Sequence, residues 1–223
     1  MSAATHRLLL ASRNAKKLTE LRRIVEAAGL TGAEIVGLAD VPEFPEAPET
    51  GATFAENALA KARDAALATG LPTVAEDSGI TVDALNGMPG ILSARWSGRH
   101  GDDDANLQLL LGQTRDVPDE RRGAAYVCAA ALITPGAAAD PAAVRPDADG
   151  DTPGRTVVHG TWRGVLLREP RGTNGFGYDP IFEPEGTGRS AAELSAGEKD
   201  AVSHRGQALR ALLPHLRALL AAS

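Results

Sequence analysis

RLLLASRNAKKLTELRRIVEAAGL, residues 7–30, changes its hydrophobic period once, and that change decides the fold class. Its opening, RLLLAS, is a short apolar run of the kind that forms a buried strand. From Asn14 onward the apolar positions Leu18, Leu21, Val25 and Ala28 recur at helical spacing. Asn14 is placed to cap that helix and Gly29 to stop it. A strand feeding directly into a helix is the opening of an α/β unit.

Reading outward, the pattern continues. VPEFPEAPETGA, residues 41–52, places three prolines among acids and reads as an irregular loop. Thr53 and Glu56 then form a capping box for the helix FAENALAKARDAALATG. PTVA is a short strand-like run, followed by what reads as an acidic turn, AEDSG, residues 75–79. GMPGILSARWSG has turn signals and then a strand-like piece, and DDDANLQLLLGQ reads as a helix with acids at its N-terminal end. GAAYVCAAALIT and TVVHGTWRGVLL are two longer strands. The Ala-, Pro-, Asp- and Gly-rich segment between them, residues 135–155, reads as a flexible hairpin connection. The tail KDAVSHRGQALRALLPHLRALLAA is helical, with Pro214 expected to kink or interrupt it. The expectation is therefore one α/β domain over residues 1–223, with a mixed sheet.

Composition narrows the function. The chain has 223 residues, of which 43% are hydrophobic, enough for one substantial core. No run approaches the ~18 apolar residues of a membrane span, and MSAATHRLLLAS is too short and too weakly basic for a secretory signal. A net charge of −6 argues against broad binding to nucleic-acid backbone, while leaving room for a small anionic ligand met by a few aimed cations. Cys128 is the single cysteine, which excludes an intramolecular disulfide and fits a reducing, cytoplasmic setting. It lies in an apolar run and reads as a small core residue. His6, His100, His159 and His215 have no partners at ligand spacing and read as structural or exposed.

Reactive groups collect in four stretches. SRNAKK, residues 12–17, sits at a strand-to-helix junction, where it is either an anion-binding helix start with Asn14 and Lys17 as donors or a capped helix with solvated lysines. Glu76 and Asp77 in AEDSG can hold Mg²⁺ through one or two oxygens, or can cap the next element. GTNGFGYDP, residues 172–180, is either a ligand loop offering Phe176 and Tyr178 as stacking surfaces or a glycine-rich turn. EKDAVSHRG brings Lys199, His204 and Arg205 together as a cationic cluster or a solvated helix face. Taken together, the four describe a nucleoside triphosphate site: cations for phosphates, carboxylates for Mg²⁺, and aromatics beside glycines for a base.

SRNAKK, ETGATFAENALAKA, AEDSG, GMPGILSARWSG, GFGYDPIF and SHRGQAL also occur in the order and spacing that resemble the Ham1/RdgB family of inosine triphosphate pyrophosphatases, over about residues 7–213. The resemblance implies an elongated mixed sheet with flanking helices forming two lobes around a nucleotide cleft. It implies Asp77 as general base and Mg²⁺ ligand, with Glu49 and Glu76 as further metal residues. Ser12, Arg13, Asn14, Ala15, Lys16 and Lys17 match the substrate loop, with Asn14 and Lys17 facing the triphosphate, and Ser78 matches another substrate contact. Lys61 matches a lysine near the phosphates. Phe176, Gly177, Tyr178 and Asp179 match the base-recognition loop, with Lys199, His204 and Arg205 as the remaining nucleotide contacts.

Two departures stand out. Ser12-Arg13-Asn14 replaces the commoner Thr-Gly-Asn, removing a flexible glycine, and Glu76 stands where many relatives carry Asp. The implied activity is hydrolysis of ITP, dITP and XTP to monophosphate and pyrophosphate by a cytoplasmic homodimer that engages neither nucleic acid nor membrane. The rival readings are a non-catalytic nucleotide sensor and a hydrolase that releases orthophosphate. For base selection the candidate donors are backbone N–H groups around GFGYD and the side chains of His204 and Arg205, with Phe176 stacking on the ring.

Overall fold

The computed structural model describes residues 6–45, 48–140 and 152–222. The strands are β1 (His6–Leu10), β2 (Ala33–Gly37), β3 (Thr73–Val82), β4 (Gly123–Ile133), β5 (Arg155–Leu166) and β6 (Phe182–Pro184). The helices are α1 (Ala15–Ala27), α2 (Phe54–Thr69), α3 (Asp103–Gln113), α4 (Pro135–Ala138), α5 (Ala196–Val202) and α6 (His204–Ala222). The strands form one sheet in the order β2-β1-β3-β4-β5-β6. β1 runs parallel to β2 and β3 while β5 and β6 are antiparallel, so the sheet is mixed, as expected of this α/β chain. Parallel neighbours need a crossover, and α1 and α2 supply the first two.

Residue contacts gather into two units. The first comprises Met1–Asp77, Ala129–His159 and Ala208–Ser223, and the second Ser78–Cys128 and Gly160–Gln207. In the first, Ala58, Ala62 and Ala66 of α2 share a core with Ala129, Ala131 and Ile133 of β4. Small side chains on both surfaces let the helix lie close to its strands, which matters because α2 carries site residues. The second unit has an aromatic core instead, with Phe182 edge-on to Tyr126 at 4.9 Å and to Trp162 at 5.5 Å. Cys128 is fully buried, in keeping with a small core residue.

The caps at Asn14 and Thr53 hold, while the expected capping box closes one residue early, with Glu56 on Ala52 rather than on Thr53. The side chain of Asn14 accepts the N–H of Lys16, that of Thr53 the N–H of Glu56, and that of Asp102 the N–H of Ala105. Glu56 reaches back to the N–H of Ala52 at 2.8 Å, tying down the loop just before α2.

Four expectations change. AEDSG is not a turn, because β3 runs straight through it. Gly79 is there for close approach: a Cβ would collide with Ser93 Oγ and the Gly90 carbonyl. The strand-like part of GMPGILSARWSG is a 3₁₀ helix, Gly90–Arg95, in which Ser93 Oγ donates to the Gly90 carbonyl at 2.6 Å. That local bond favours a turn over extended chain. The C-terminal helix breaks at Ser203 rather than Pro214. Ser203 donates its N–H to Lys199 to close α5, and its Oγ accepts the N–H of Gly206 to open α6. α6 passes through Pro214 unbroken, with Pro214 and Arg210 both on its exposed side. Finally, the connection expected over 135–155 begins with the short helix α4 and ends at β5, while residues 141–151 lie outside the described residues.

Candidate active site

In the first unit, α2 places Asn57 and Lys61 one turn apart, so both side chains leave the same helix face. Both reach Asp77 on β3. Asn57 Nδ2 donates to Asp77 Oδ2 at 3.0 Å, and Lys61 Nζ donates to Oδ1 at 2.9 Å. Lys61 also meets Glu49 Oε1 at 2.5 Å, so one ammonium holds two carboxylates. The side-chain Oδ1 of Asn57 accepts the N–H of Gly51 at 2.8 Å, which anchors the loop bearing Glu49. A Cβ at Gly51 would lie 2.6 Å from that oxygen, so glycine is needed for the approach.

Glu76 is next to Asp77 in sequence but not in partnership. Successive strand residues point to opposite faces, and Glu76 pairs with Lys17 of α1 at 3.3 Å. Both carboxylates are buried. Burial pushes the Asp77 carboxyl above its ordinary value, against the pull of Lys61 and Asn57. For Lys61, burial lowers the pKa, and Asp77 and Glu49 together more than offset it, leaving it raised. A largely desolvated acid with a raised pKa, fixed at both oxygens, is suited to general-base work.

The substrate-loop residues lie where β1 gives way to α1. Ser12 Oγ accepts the N–H of Asn14 at 3.2 Å, and Asn14 Oδ1 is occupied by the helix cap, so Asn14 shapes the loop. Ala15 is the first residue of α1, and Arg13, Ala15 and Lys16 are exposed. Among the described residues no three His, Cys, Asp or Glu side chains group as a ready-made metal cage. Glu49 and Asp77, brought to one ammonium, are nevertheless hard-oxygen donors of the type Mg²⁺ takes one or two at a time, completing its octahedron with water and phosphate oxygens.

The second unit holds the other group. Asp179 Oδ2 accepts the N–H of Phe176 at 2.8 Å and the ammonium of Lys199 at 2.7 Å. The ring of Phe176 is exposed, with Arg205 Cζ 5.8 Å and Lys199 Nζ 6.0 Å from its centroid, within cation–π range. His204 lies flat on Tyr126, centroids 4.8 Å apart. Gly175 has φ +83°, and a Cβ there would strike the Asp179 carboxylate. Tyr178 donates its hydroxyl to the Ser93 carbonyl at 2.8 Å, and burial followed by the charge of Asp103 raises its pKa. Ser78, on β3, is half-buried.

Most of the loop's backbone donors are engaged within the unit. The N–H of Gly177 goes to Asp103 Oδ2 at 2.9 Å, that of Tyr178 to the Tyr126 hydroxyl, and that of Asp179 to the Phe176 carbonyl at 3.3 Å. With Phe176 bound to Asp179, every N–H from 176 to 179 is used within the unit. Of the GFGYD donors these bonds leave out the N–H of Gly175, which stands with the side chains of His204 and Arg205 as a candidate donor to a base.

Sequence reasoning missed Asn57 and Tyr126. Asn57 lies one helical turn before Lys61, a spacing that could have found it. Tyr126 sits in an apolar strand with no local mark.

The chain matches the Ham1 family over residues 8–215. A protein of Nocardia farcinica named dITP/XTP pyrophosphatase is 62% identical over 213 residues, covering 96% of this chain and 96% of its own. A solved nucleoside-triphosphatase, dITP/XTP pyrophosphatase, of Mycobacterium abscessus is 59% identical with TM-score 0.72, covering 94% of this chain and 99% of its own. A HAM1 protein of Coxiella burnetii superposes with TM-score 0.79 at 40% identity, covering 96% and 99%.

Proposed function

The chain belongs to the Ham1 family, and from that premise we propose that it hydrolyses the non-standard purine nucleoside triphosphates ITP, dITP and XTP to monophosphate and pyrophosphate. The observation that carries this reading is the buried Asp77, held at one oxygen by Asn57 and at the other by the ammonium it shares with Glu49.

Asp77 orients a water and takes its proton as the oxygen attacks the α-phosphorus. The bond from that phosphorus to the bridging oxygen breaks, and pyrophosphate leaves. Lys17 and Lys61 place positive charge against the phosphate oxygens, so positioning and charge neutralisation carry most of the rate. Glu49 and Asp77 are the residues that would hold Mg²⁺, while Glu76, on the other face of β3 and paired with Lys17, serves to place that lysine. When bound it supplies charge neutralisation at the phosphates and a more acidic water. In the second unit Phe176 stacks on the base while His204 and Arg205 meet its edge, and Lys199 with Asp179 fixes the loop. A homodimer in the cytoplasm completes the reading. Among the described residues no helix is long and apolar enough to cross a membrane.

A panel of nucleoside triphosphates with Mg²⁺, with products identified by phosphorus NMR, tests the proposal. Pyrophosphate with IMP from ITP is expected. Orthophosphate as first product, or binding without turnover, would move the chain to one of the rival classes.

A further inference from the structure

Tyr126 takes no part in the chemistry above, yet three ties from the base-recognition residues converge on it. Its ring lies on the His204 imidazole with centroids 4.8 Å apart and planes within 9°. Its O–H donates to the Asp179 carboxylate, and its oxygen accepts the N–H of Tyr178. Phe182 stands edge-on to the same ring at 4.9 Å, and the residue is buried in the aromatic core. Tyr126 lies on β4, so its side chain starts from sheet rather than from loop.

Core packing accounts for the ring but not for the hydroxyl. A phenylalanine would fill the same space, and a buried hydroxyl is unfavourable unless it is paired. Here the hydroxyl is used as donor and as acceptor, and both partners belong to the loop that carries Phe176. The Asp179 carboxylate gathers three donors: the Phe176 N–H, the Lys199 ammonium and the Tyr126 hydroxyl. One buried side chain therefore sets the height of His204 and the position of the 176–179 loop at once.

We propose that Tyr126 is a specificity-determining positioning residue, holding His204 and the Asp179 loop at the spacing that lets the site tell a 6-keto purine from a 6-amino purine. It acts through these residues and touches no substrate atom. The proposal rests on the reading of Phe176, His204 and Arg205 as base contacts. Without the hydroxyl, Asp179 loses one of its donors and the Tyr178 N–H loses its acceptor, so the loop settles elsewhere. Discrimination that depends on aligned hydrogen bonds then weakens, since small misplacements at such sites are costly.

The test compares Tyr126→Phe, Tyr126→Leu, Phe176→Ala and Arg205→Ala with wild type, measuring kcat and KM for ITP and ATP together with thermal unfolding. Tyr126→Phe keeps the stack on His204. We expect its KM for ITP to rise, its kcat for ITP to stay within about threefold, and the ITP-to-ATP ratio of kcat/KM to fall roughly tenfold, a loss typical of one charge-assisted hydrogen bond. Tyr126→Leu should lose more of the ratio. If Tyr126→Phe keeps the wild-type ratio while Phe176→Ala and Arg205→Ala change it, the Tyr126 assignment is overturned, even where its unfolding midpoint falls. An unchanged ratio in Phe176→Ala and Arg205→Ala instead refutes the base-site reading on which the proposal stands.

Discussion

The ammonium of Lys61 lies 2.9 Å from Asp77 Oδ1, so the candidate base of this chain is neutralised by a lysine from a neighbouring helix. The same ammonium contacts Glu49 at 2.5 Å. Asp77 is thus held as a carboxylate at a buried position where desolvation alone would favour its protonation.

Asp77→Asn should fold and lose turnover. The amide keeps the shape and can still accept from Asn57, while the base disappears. The neutral residue relieves a desolvation penalty, but its NH₂ replaces the oxygen that faced Lys61 and the charge-assisted contact is lost, so a modest fall in the thermal midpoint is expected without loss of the fold. General-base catalysis is worth roughly 10²–10⁴-fold in rate, so kcat should drop by at least that range. Wild-type turnover in a purified, folded variant would remove Asp77 from the mechanism.

Lys61→Ala separates the electrostatic role from the chemical one. It leaves Glu49 and Asp77 without their shared counter-ion, and losing a charge-assisted contact costs about 1.5–3 kcal/mol. The unfolding midpoint should fall accordingly. Added Mg²⁺ should recover part of that loss, because a cation bound to the two carboxylates favours the folded chain. Thermal unfolding with and without Mg²⁺ reads this directly. A midpoint indifferent to the ion would count against metal at this pair.

Turnover should likewise stop in excess EDTA and return with Mg²⁺, with pyrophosphate released throughout. Hydrolysis that persists in the chelator would overturn the assignment of Glu49 and Asp77 as metal residues.

Much of the first unit was legible because its signals are local. Asn14, Gly29, Thr53 and Gly70 mark helix ends through their own backbone neighbours. AEDSG misled because Ser and Gly next to two acids resemble a turn, whereas the glycine answers a need set by Ser93, fourteen residues on. Pro214 misled in the opposite way, since exposure lets a helix tolerate it while Ser203 makes the actual break. The partners of Asp77 and Asp179 come from distant segments, so no local signal showed their pairing. The Tyr126 contacts had no signal at all.

Gly175→Ala should raise KM while affecting kcat less. Gly175 has φ +83°, and its missing Cβ leaves room for the Asp179 carboxylate. A left-handed residue with a side chain is strained by about 1–2 kcal/mol, and the collision adds to that by displacing the acceptor of Phe176 and Lys199. Steady-state kinetics on ITP would check it. An unaltered KM would mean that this loop does not shape the base site.

The last prediction concerns which bases are accepted. ITP and XTP carry a 6-keto oxygen where ATP carries an amino group, so donors aimed at that edge pair with the first two and oppose the third. The N–H groups of residues 176–179 are already bound to Asp179, Asp103, Tyr126 and Phe176, so the candidate donors are the N–H of Gly175 and the side chains of His204 and Arg205. Arg205 also sits 5.8 Å from the exposed Phe176 ring, close to the surface on which a purine would stack. A site built to hydrogen-bond one edge rejects an analogue that leaves it unpaired by as much as roughly 10⁴–10⁵-fold. GTP shares the keto group, so its rejection depends on the 2-amino group and should have a narrower margin. Size cannot be the filter, since XTP carries a 2-oxo group at that position. The expected order of kcat/KM is ITP and XTP, then GTP, then ATP. Arg205→Ala should narrow the gap between ITP and ATP chiefly by raising KM for ITP. Equal values for ATP and ITP in the wild-type enzyme would mean that the base edge is not read here and would make the chain a general nucleotide hydrolase.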